Sequence, residues 1–279
     1  MGIRIWLQSF TDLTQLPGYA RMLAEHAERV CHLDTKVDIH GVRPGTYPEG
    51  VAPIEALRYP WFRHLLDLQV IENAVRAERE GYDAMAISCF YDPGLEAARG
   101  SVDIPVASIC ESTLLVAKSV GRSLALVGLE EDNAAFLRDL VHHYGLQDLL
   151  ACVVALDPPV TEPELDRAFA GSSEFVRRFE ESCRRQVTSA GADVLVPAEG
   201  VLNTALVRNG VQKVDGRPVI DAYAILLAHT EMLVQLRHTT GMEVSRIAYG
   251  PRPPDSLVAH FRGVAHTVLA EAQAEEPVS

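Results

Sequence analysis

The cysteine at position 89 is the residue with the clearest chemical potential in this sequence. It follows an apolar run at residues 84–88 that is typical of a buried strand, and Asp92-Pro93-Gly94 then favours the start of a helix. A thiol in that place can act as a base or a nucleophile, because backbone amides and the helix dipole lower its pKa. The alternative is a buried, inert side chain, the usual fate of an isolated cysteine. We interpret Cys89 as a functional thiol.

Glu199 holds a similar place later in the chain. It comes after the apolar run 194–197 and directly before Gly200, so it also follows a predicted strand. A carboxylate at such a point can act as a general acid, a general base or an activator of water when burial raises its pKa. The alternatives are a glutamate on a surface loop and one that pairs with a cation for structural reasons. We interpret Glu199 as the second reactive group.

A weak internal repeat relates these two residues. Residues 81–89 read Gly-Tyr-Asp-Ala-Met-Ala-Ile-Ser-Cys and align without gaps with residues 191–199, which read Gly-Ala-Asp-Val-Leu-Val-Pro-Ala-Glu. The repeat predicts two similar lobes about a pseudo-twofold axis. Because ligands of open α/β sheets bind at the carboxyl ends of the strands, Cys89 and Glu199 are expected to approach one small ligand from opposite sides. The alternative is a chance match, since Gly-x-Asp is common where a helix leads into a strand.

The wider pattern alternates short apolar runs with longer helical stretches. This alternation predicts βαβ units, with parallel sheets covered by helices. The predicted strands are residues 3–7, 36–40, 84–88, 106–109, 124–127, 152–155, 194–197 and 219–220. We therefore predict an α/β fold of two lobes with the active site in the cleft between them. The predicted first lobe comprises residues 1–117 and 218–279, and the second comprises residues 118–217.

The octapeptide at residues 88–95 carries a family resemblance. It reads Ser-Cys-Phe-Tyr-Asp-Pro-Gly-Leu, which is similar to the C-F-x-D-P-G-L signature of the hydantoin racemase-like branch of the aspartate/glutamate/hydantoin racemase superfamily. Weaker matches are Ile104-Pro105-Val106, Gly121-Arg122, Tyr144-Gly145-Leu146, Pro218-Val219-Ile220-Asp221 and Tyr249-Gly250-Pro251. The resemblance implies two Rossmann-like lobes, no cofactor, and two cysteines that flank the substrate α-carbon, one removing a proton and the other delivering one.

The sequence departs from this family pattern at the second cysteine. Where the family reads G-A-D-x-I-x-L-G-C-A-G, residues 197–201 read Pro-Ala-Glu-Gly-Val, so Glu199 holds the place of the cysteine. Cys183 lies on the preceding helical stretch and is a poor substitute. Because a glutamate has a lower reference pKa than a thiol, one direction of proton transfer is harder unless the site compensates.

The resemblance leads us to expect a cofactor-independent racemase or epimerase. Cys89 and Glu199 would transfer protons on opposite faces of a carbon next to the carbonyl group of a hydantoin-like cyclic amide or a small carboxylate. Loop amides would stabilise the enolate-like intermediate. One alternative is a single-cysteine decarboxylase, lyase, cis–trans isomerase or hydrolase on the same fold. Another is a ligand-binding homologue without catalytic activity.

Residues beside the two reactive groups are candidates for substrate binding. In the family, the first loop helps to hold the carboxylate or ring amide of the substrate, and Glu111 matches a family position near the lobe junction. The predicted substrate-binding set is Gln8, Ser9, Ser88, Phe90, Tyr91, Glu111, Asn203 and Thr204. For the polar members the alternative role is capping or charge at a helix N-terminus, and for the tyrosine it is packing.

Charge and composition argue against several other classes of protein. Asp and Glu number 38 against 25 Lys and Arg, and the net charge of −13 makes nucleic acid and anionic membranes poor partners. The five cysteines form no C-x-x-C pair, and neither H-x-x-x-H nor a P-loop occurs, so we expect no metal and no cofactor. Because no secretory leader or long apolar run is present, we expect a cytoplasmic location. The family resemblance implies a homo-oligomer that acts on a small molecule.

Overall fold

Four parallel strands form the first of two sheets. The computed structural model describes residues 2–48, 51, 53–129, 131–160 and 162–274. The strands lie in the order β2-β1-β3-β4. Their bounds are β1 Arg4–Gln8, β2 Lys36–His40, β3 Ala84–Ile87 and β4 Val106–Ser108. Every side chain of β3 is buried, because helices cover both faces of this parallel sheet.

The second sheet has three parallel strands in the order β6-β5-β7. They are β5 Leu124–Gly128, β6 Leu150–Ala155 and β7 Val194–Pro197. In both sheets the strand that leads to a predicted reactive residue pairs with the first strand of its sheet, β3 with β1 and β7 with β5. The predicted fold class, two α/β lobes with parallel sheets flanked by helices, is confirmed.

Helices connect the strands and cover the sheets. Their bounds are α1 Pro17–Val30, α2 Pro53–Leu57, α3 Pro60–Arg79, α4 Leu95–Ser101, α5 Ile109–Ala117, α6 Ala134–His143, α7 Glu162–Phe169, α8 Ser173–Ala190, α9 Gly200–Arg208, α10 Ala222–Thr240 and α11 Asp255–Ala274. The ends follow local chemistry, as in α8: the Ser172 side chain caps its first turn, and Gly191 ends it with a φ of 73°. Within the described ranges, none of these helices combines the length and apolarity needed to cross a bilayer.

The last predicted strand, residues 219–220, is reduced to a single bridge. Val219 makes one parallel bridge to Leu195 at the edge of the second sheet. The residues just before it form a short antiparallel hairpin of β8 Lys213–Val214 and β9 Arg217–Pro218. Asp215 and Gly216 turn this hairpin with φ values of 49° and 80°. Asp-Gly favours that left-handed turn, and the chain therefore leaves the sheet edge before a full strand can form.

Helix α10 brings the chain back to the first lobe. It packs on α5 and β4 of that lobe and also against α1 and α9. Its N-terminus is capped by the side chain of Asp221, which accepts the backbone N–H of Ala224. The packing of α10 on both α1 and α9 joins the two lobes beside the carboxyl ends of their strands.

Helix α6 forms a second contact between the lobes. The ring of Phe136 packs edge-on against Tyr91, with ring centroids 5.0 Å apart, and the guanidinium of Arg63 lies 4.4 Å from the Phe136 ring. Just beyond α6, the hydroxyl of Tyr144 donates a hydrogen bond to Asp92. The segment that follows β3 is therefore held by side chains of the second lobe.

Candidate active site

A small cavity lies between the carboxyl ends of β3 and β7. Its volume is about 80 Å³, and its lining includes both Cys89 and Glu199. The remaining lining residues come from the loop after β1, from α1 and α2, and from the residues around Cys89 and Glu199. They are Ser9, Phe10, Thr11, Tyr19, Pro53, Leu57, Ser88, Phe90, Tyr91, Ala198, Gly200 and Val201. The two residues that the internal repeat relates thus share one cavity between the lobes.

Cys89 is a protonated thiol in this arrangement. Only 8% of the residue is exposed, and burial raises the pKa of the thiol well above its usual range. A backbone hydrogen bond from Tyr91 acts in the opposite direction, while the negative charges of Asp92 and Glu199 raise the pKa further. The sequence-based expectation of a lowered pKa is wrong, because desolvation outweighs the backbone amide. Helix α4 also begins only at Leu95, so Cys89 does not directly precede its first turn.

Asp92 caps a different helix from the one the sequence suggests. Its two carboxylate oxygens accept the backbone N–H groups of Cys110 at 3.2 Å and Glu111 at 3.1 Å, at the start of α5. Its own N–H donates to the carbonyl oxygen of Cys89 at 3.0 Å. Burial raises the pKa of Asp92 to about 7, although the hydrogen bond from Tyr144 lowers it. Asp92 therefore ties the loop after Cys89 to α5 and to the second lobe.

Glu199 is the residue immediately before α9, and 8% of it is exposed. Its Oε1 accepts the backbone N–H of Leu129, just beyond β5, at 3.0 Å. This bond fixes the carboxylate between the ends of two neighbouring strands of the second sheet. The carboxylate also lies close enough to Cys89 to raise the pKa of the thiol.

Two tyrosines that the sequence reasoning missed stand beside the reactive residues. Tyr19, on α1, lines the cavity, and its Oη lies 2.8 Å from the Oη of Tyr223 on α10. Tyr223 in turn donates to the carbonyl oxygen of Ser88 at 3.4 Å. Tyr223 is 204 residues from Tyr19 and 135 residues from Ser88. Because an ordinary helical pattern surrounds each tyrosine, no local signal in the sequence reveals them.

Four of the predicted substrate-binding residues line the cavity: Ser9, Ser88, Phe90 and Tyr91. The Ser88 hydroxyl donates to the carbonyl oxygen of Gln8 at 2.8 Å, and Ser9 Oγ accepts the Thr11 N–H at 3.2 Å. These bonds shape the loops after β1 and β3. The remaining four predicted residues are not among the described residues of this cavity.

Gln8 and Asn203 point into the lobes instead. Gln8 is fully buried, and its side-chain amide donates to the carbonyl oxygens of Ser9 and Gly41 at 2.9 and 3.1 Å. Its Oε1 accepts hydrogen bonds from Trp6 and Asn73. Asn203 is also fully buried; its Oδ1 accepts the N–H of Ala222 at 2.9 Å and its amide donates to Asp221 at 3.3 Å. Both side chains hold elements together, and spacing alone does not reveal which way they face.

Thr204 and Glu111 also have other partners. The Thr204 hydroxyl donates to the carbonyl oxygen of Gly200 at 2.9 Å within α9. Glu111 forms a two-pronged ion pair with Arg99, at 3.0 and 2.5 Å, and both side chains are largely buried. This pair borders another cavity, of about 700 Å³, whose lining also includes Asp92. The described lining of that larger cavity does not include Cys89 or Glu199.

In the described part of the chain, no group of three or more His, Cys, Asp or Glu side chains is arranged to hold a metal ion. The ionisable side chains of the Cys89 cavity are instead a thiol, a carboxylate and tyrosines. Such a set can remove a proton from one face of a bound molecule and deliver one to the other.

Comparison with known proteins identifies the family of the chain. A family model described as Asp/Glu/Hydantoin racemase matches residues 18–230. The chain is 30% identical to a hydantoin racemase of Rhizobium meliloti over 178 residues, 62% of this chain and 69% of that protein. It is also 30% identical to a hydantoin racemase of Pseudomonas sp. (strain NS671) over 171 residues, 61% and 66% of the two chains.

Solved structures show the same fold. The allantoin racemase from Klebsiella pneumoniae superposes with a TM-score of 0.72 at 23% identity, over 91% of this chain and 95% of that one. An allantoin racemase from Pseudomonas fluorescens gives a TM-score of 0.67 at 21% identity, over 91% and 98%.

Proposed function

The chain belongs to the Asp/Glu/hydantoin racemase family, in its hydantoin racemase-like branch, and we propose that it racemises or epimerises a hydantoin-like cyclic amide by proton transfer between Cys89 and Glu199. One observation carries the proposal: the two side chains line a single small cavity, each just beyond a strand of a different lobe. That placement suits two groups acting on opposite faces of one carbon. The assignment of the enzyme as an isomerase of this superfamily follows from the family.

The protonated state of Cys89 favours one direction of the first turnover. Glu199, as the carboxylate, takes the proton from the substrate carbon, and the electron pair moves into the neighbouring carbonyl group as an enolate. The Cys89 thiol then delivers its proton to the opposite face of the same carbon. This leaves a thiolate and a glutamic acid, which either catalyse the reverse reaction or exchange protons with water. Burial keeps the resting Cys89 protonated, so it starts as the acid.

The cavity suits a small neutral ring better than a dicarboxylate. Its described lining contains no Lys, Arg or His, and most of its residues are apolar or aromatic. The buried Glu199 carboxylate would repel a second anion, since charges interact strongly away from water. A cavity of about 80 Å³ is small, so it favours a compact ring over a substrate with a long side chain. We therefore propose hydantoins with a small apolar substituent at C5.

Proton NMR in deuterium oxide tests the reaction directly. The purified protein is incubated with one enantiomer of 5-methylhydantoin, and loss of the C5 proton signal is followed together with optical rotation, against a protein-free control for spontaneous exchange. We expect deuterium incorporation and loss of rotation, slowed about 10²- to 10⁴-fold in both Cys89→Ser and Glu199→Gln. Exchange that persists in Glu199→Gln would remove Glu199 from the mechanism.

The single thiol in the cavity favours one alternative reaction. With Cys89 as the sole acid, the protein would protonate a carbanion formed by decarboxylation or elimination, and Glu199 would activate water or orient the substrate. New products that need Cys89, without any C5 exchange in the hydantoin, would support this second candidate.

Three further features are proposed from the sequence and the family. They are the division of the lobes at residues 117 and 217, a homo-oligomeric assembly, and a cytoplasmic location. Light scattering coupled to size-exclusion chromatography measures the assembly, and a single monomer peak would reject it.

A further inference from the structure

The hydroxyl groups of Tyr19 and Tyr223 lie between the turn that carries Cys89 and the turn that carries Glu199. Tyr223 Oη donates to the carbonyl oxygen of Ser88, the residue before Cys89. A Cβ atom added to Gly200, the residue after Glu199, would stand 2.6 Å from Tyr223 Oη and 3.3 Å from Tyr19 Oη. The pair is therefore packed against the backbone on both sides of the cavity that Tyr19 lines.

Each of the two tyrosine hydroxyls carries one proton that it can donate. Burial raises the pKa of Tyr19 well above its usual range and that of Tyr223 to about 12, so both hydroxyls stay protonated. The bond of 2.8 Å between the two oxygens uses one proton and has the usual length. The contact of 3.4 Å to Ser88 is longer than a normal O–H···O bond and holds the second proton weakly.

The second proton can therefore move to a better acceptor. When Tyr223 donates to Tyr19, the hydrogen of Tyr19 is released from the pair and is free to point into the cavity. The Thr204 hydroxyl, which lies beside Tyr19, gives its own hydrogen to the carbonyl oxygen of Gly200 at 2.9 Å, so its oxygen remains a neutral acceptor for the Tyr19 hydrogen. An oxygen that gains negative charge inside the cavity would attract the Tyr19 hydrogen more strongly than the neutral Thr204 hydroxyl does.

From this geometry we infer that Tyr19 donates a hydrogen bond to the substrate carbonyl oxygen as it becomes an enolate, and that Tyr223 holds Tyr19 in the donating orientation. The inference deepens the proposed function and rests on it for the identity of the oxygen. Tyr19 touches the substrate in this scheme, whereas Tyr223 is a positioning residue. A donor aimed at developing charge stabilises the intermediate more than the neutral substrate.

Ligand binding tests the inference without any turnover. Urazole resembles hydantoin with nitrogen in place of C5, and near neutral pH it is a planar anion whose charge reaches its carbonyl oxygens. Calorimetric titrations compare urazole with neutral hydantoin in the Glu199→Gln protein, whose amide stands for the protonated carboxyl that faces the enolate. Tyr19→Phe and Tyr223→Phe are added to this background. Tyr82→Phe is the matched control, because it removes a tyrosine hydroxyl bound to Asp38, outside the described cavity lining.

We expect Tyr19→Phe to weaken urazole binding about 10- to 100-fold and hydantoin binding less than about threefold, because the hydrogen bond to a charged oxygen is the stronger one. Tyr223→Phe should weaken urazole less than Tyr19→Phe does, and Tyr82→Phe should change neither ligand. Three results would overturn the inference. They are equal losses of affinity for both ligands in Tyr19→Phe, an unchanged affinity for urazole in that variant, and no urazole binding by the parent Glu199→Gln protein.

Two further measurements separate the possible failures. If Tyr19→Phe does not fold, 3-fluorotyrosine at position 19 keeps the side chain and makes its O–H a stronger donor; urazole must then bind more tightly, and unchanged binding rejects the role. If the wild-type protein exchanges no C5 proton of hydantoins while urazole binding still depends on Tyr19, the proposed function fails and the donor role stands.

Discussion

Burial sets the charge of the residues around the cavity. Cys89 and Asp92 are both less than a tenth exposed, and desolvation is the largest influence on the pKa of each. Asp92 receives several hydrogen bonds that favour its charged form, yet its pKa is still raised to about 7. Its protonation therefore changes in the neutral range, far above that of an exposed aspartate.

Stability should fall with rising pH because of Asp92. Its pKa is about 7 in the folded protein and about 3.9 in an unfolded chain, so the folded state binds the proton more tightly. The stabilisation is complete below about pH 4 and is lost as pH rises through about 7, a change of roughly 4 kcal/mol. Asp92→Asn cannot titrate and should remove this part of the pH dependence. Urea unfolding at several pH values measures it.

At each pH, the free energy of unfolding of Asp92→Asn is subtracted from that of the wild-type protein, so that the contributions of other titrating groups cancel. Identical pH dependence in the two proteins would show that Asp92 keeps a constant charge. Tyr144→Phe is a useful second variant, since it removes a hydrogen bond that lowers the pKa of Asp92. It should move the wild-type transition to higher pH.

Which residues face the cavity was only partly predictable from sequence. Cys89 and Glu199 could be placed together because strand ends of parallel sheets meet at one edge, and the repeat puts both residues there. Gln8 also follows a strand, but its amide turns inward to bond Gly41 and Ser9. Tyr19 could not be found, since its partner Tyr223 is 204 positions away and the contact depends on the packing of α1 against α10.

At the scale of elements, buried polar contacts fix the helices around the site. The Arg99–Glu111 ion pair joins α4 to α5, and its two side chains are 12% and 19% exposed. The strands and helices could be predicted from the sequence, because apolar periodicity marks them locally. The side-chain contacts between them could not. Residues 219–220 failed as a strand because the Asp215-Gly216 hairpin, a local turn, competes with pairing at the sheet edge.

Breaking the Arg99–Glu111 pair should reduce stability and leave substrate binding unchanged. Glu111→Ala removes the charge partner of a buried guanidinium, which costs about 3–5 kcal/mol. The KM for hydantoins should not change, because Glu111 lies outside the described cavity lining. Urea unfolding and steady-state kinetics give the two values. Glu25→Ala, in an exposed pair with Arg21, is the control and should change neither. A large rise in KM for Glu111→Ala would restore its predicted substrate-binding role.

The start of α9 should not tolerate a larger residue than glycine. In Gly200→Ala the new Cβ would lie 2.6 Å from Tyr223 Oη, so we expect a loss of about 1–3 kcal/mol in the free energy of unfolding. Gly18→Ala is the matched control, because a Cβ at this position of α1 meets nothing within 4 Å. It should stabilise the helix slightly.

Combining Gly200→Ala with Tyr223→Phe identifies the cause. Tyr223→Phe removes the oxygen that meets the new Cβ, and the two losses should then sum to less than their separate values. Strict additivity in chemical unfolding would mean that the clash lies elsewhere.

At the scale of the whole molecule, the two lobes close on a space of about 80 Å³. Two contacts hold them together, the hydrogen bond of Tyr144 with Asp92 and the packing of α10 on α9. The space left between the lobes thus sets the size of substituent that the site accepts.

Enlarging the cavity should change the preference among substrates. Leu57 lines the cavity and is 5% exposed, so Leu57→Ala should open room for a larger group at C5. We expect kcat/KM for 5-benzylhydantoin to rise relative to that for 5-methylhydantoin. Leu66→Ala removes a fully buried leucine outside the described lining and should lose a comparable 2–5 kcal/mol of stability without changing the ratio. A ratio that moves equally in both variants would reflect general loosening.

The unlike chemistry of Cys89 and Glu199 has a kinetic consequence under the proposed function. Two enantiomers have equal free energy, so their ratio at equilibrium is one, and the Haldane relationship then makes kcat/KM the same for both, whatever groups the enzyme uses. Two identical thiols could treat the mirror-image substrates alike, but a buried thiol and a carboxylate are not mirror images of each other. The enzyme would therefore turn over the two enantiomers with different kcat values, and their KM values would differ by the same factor.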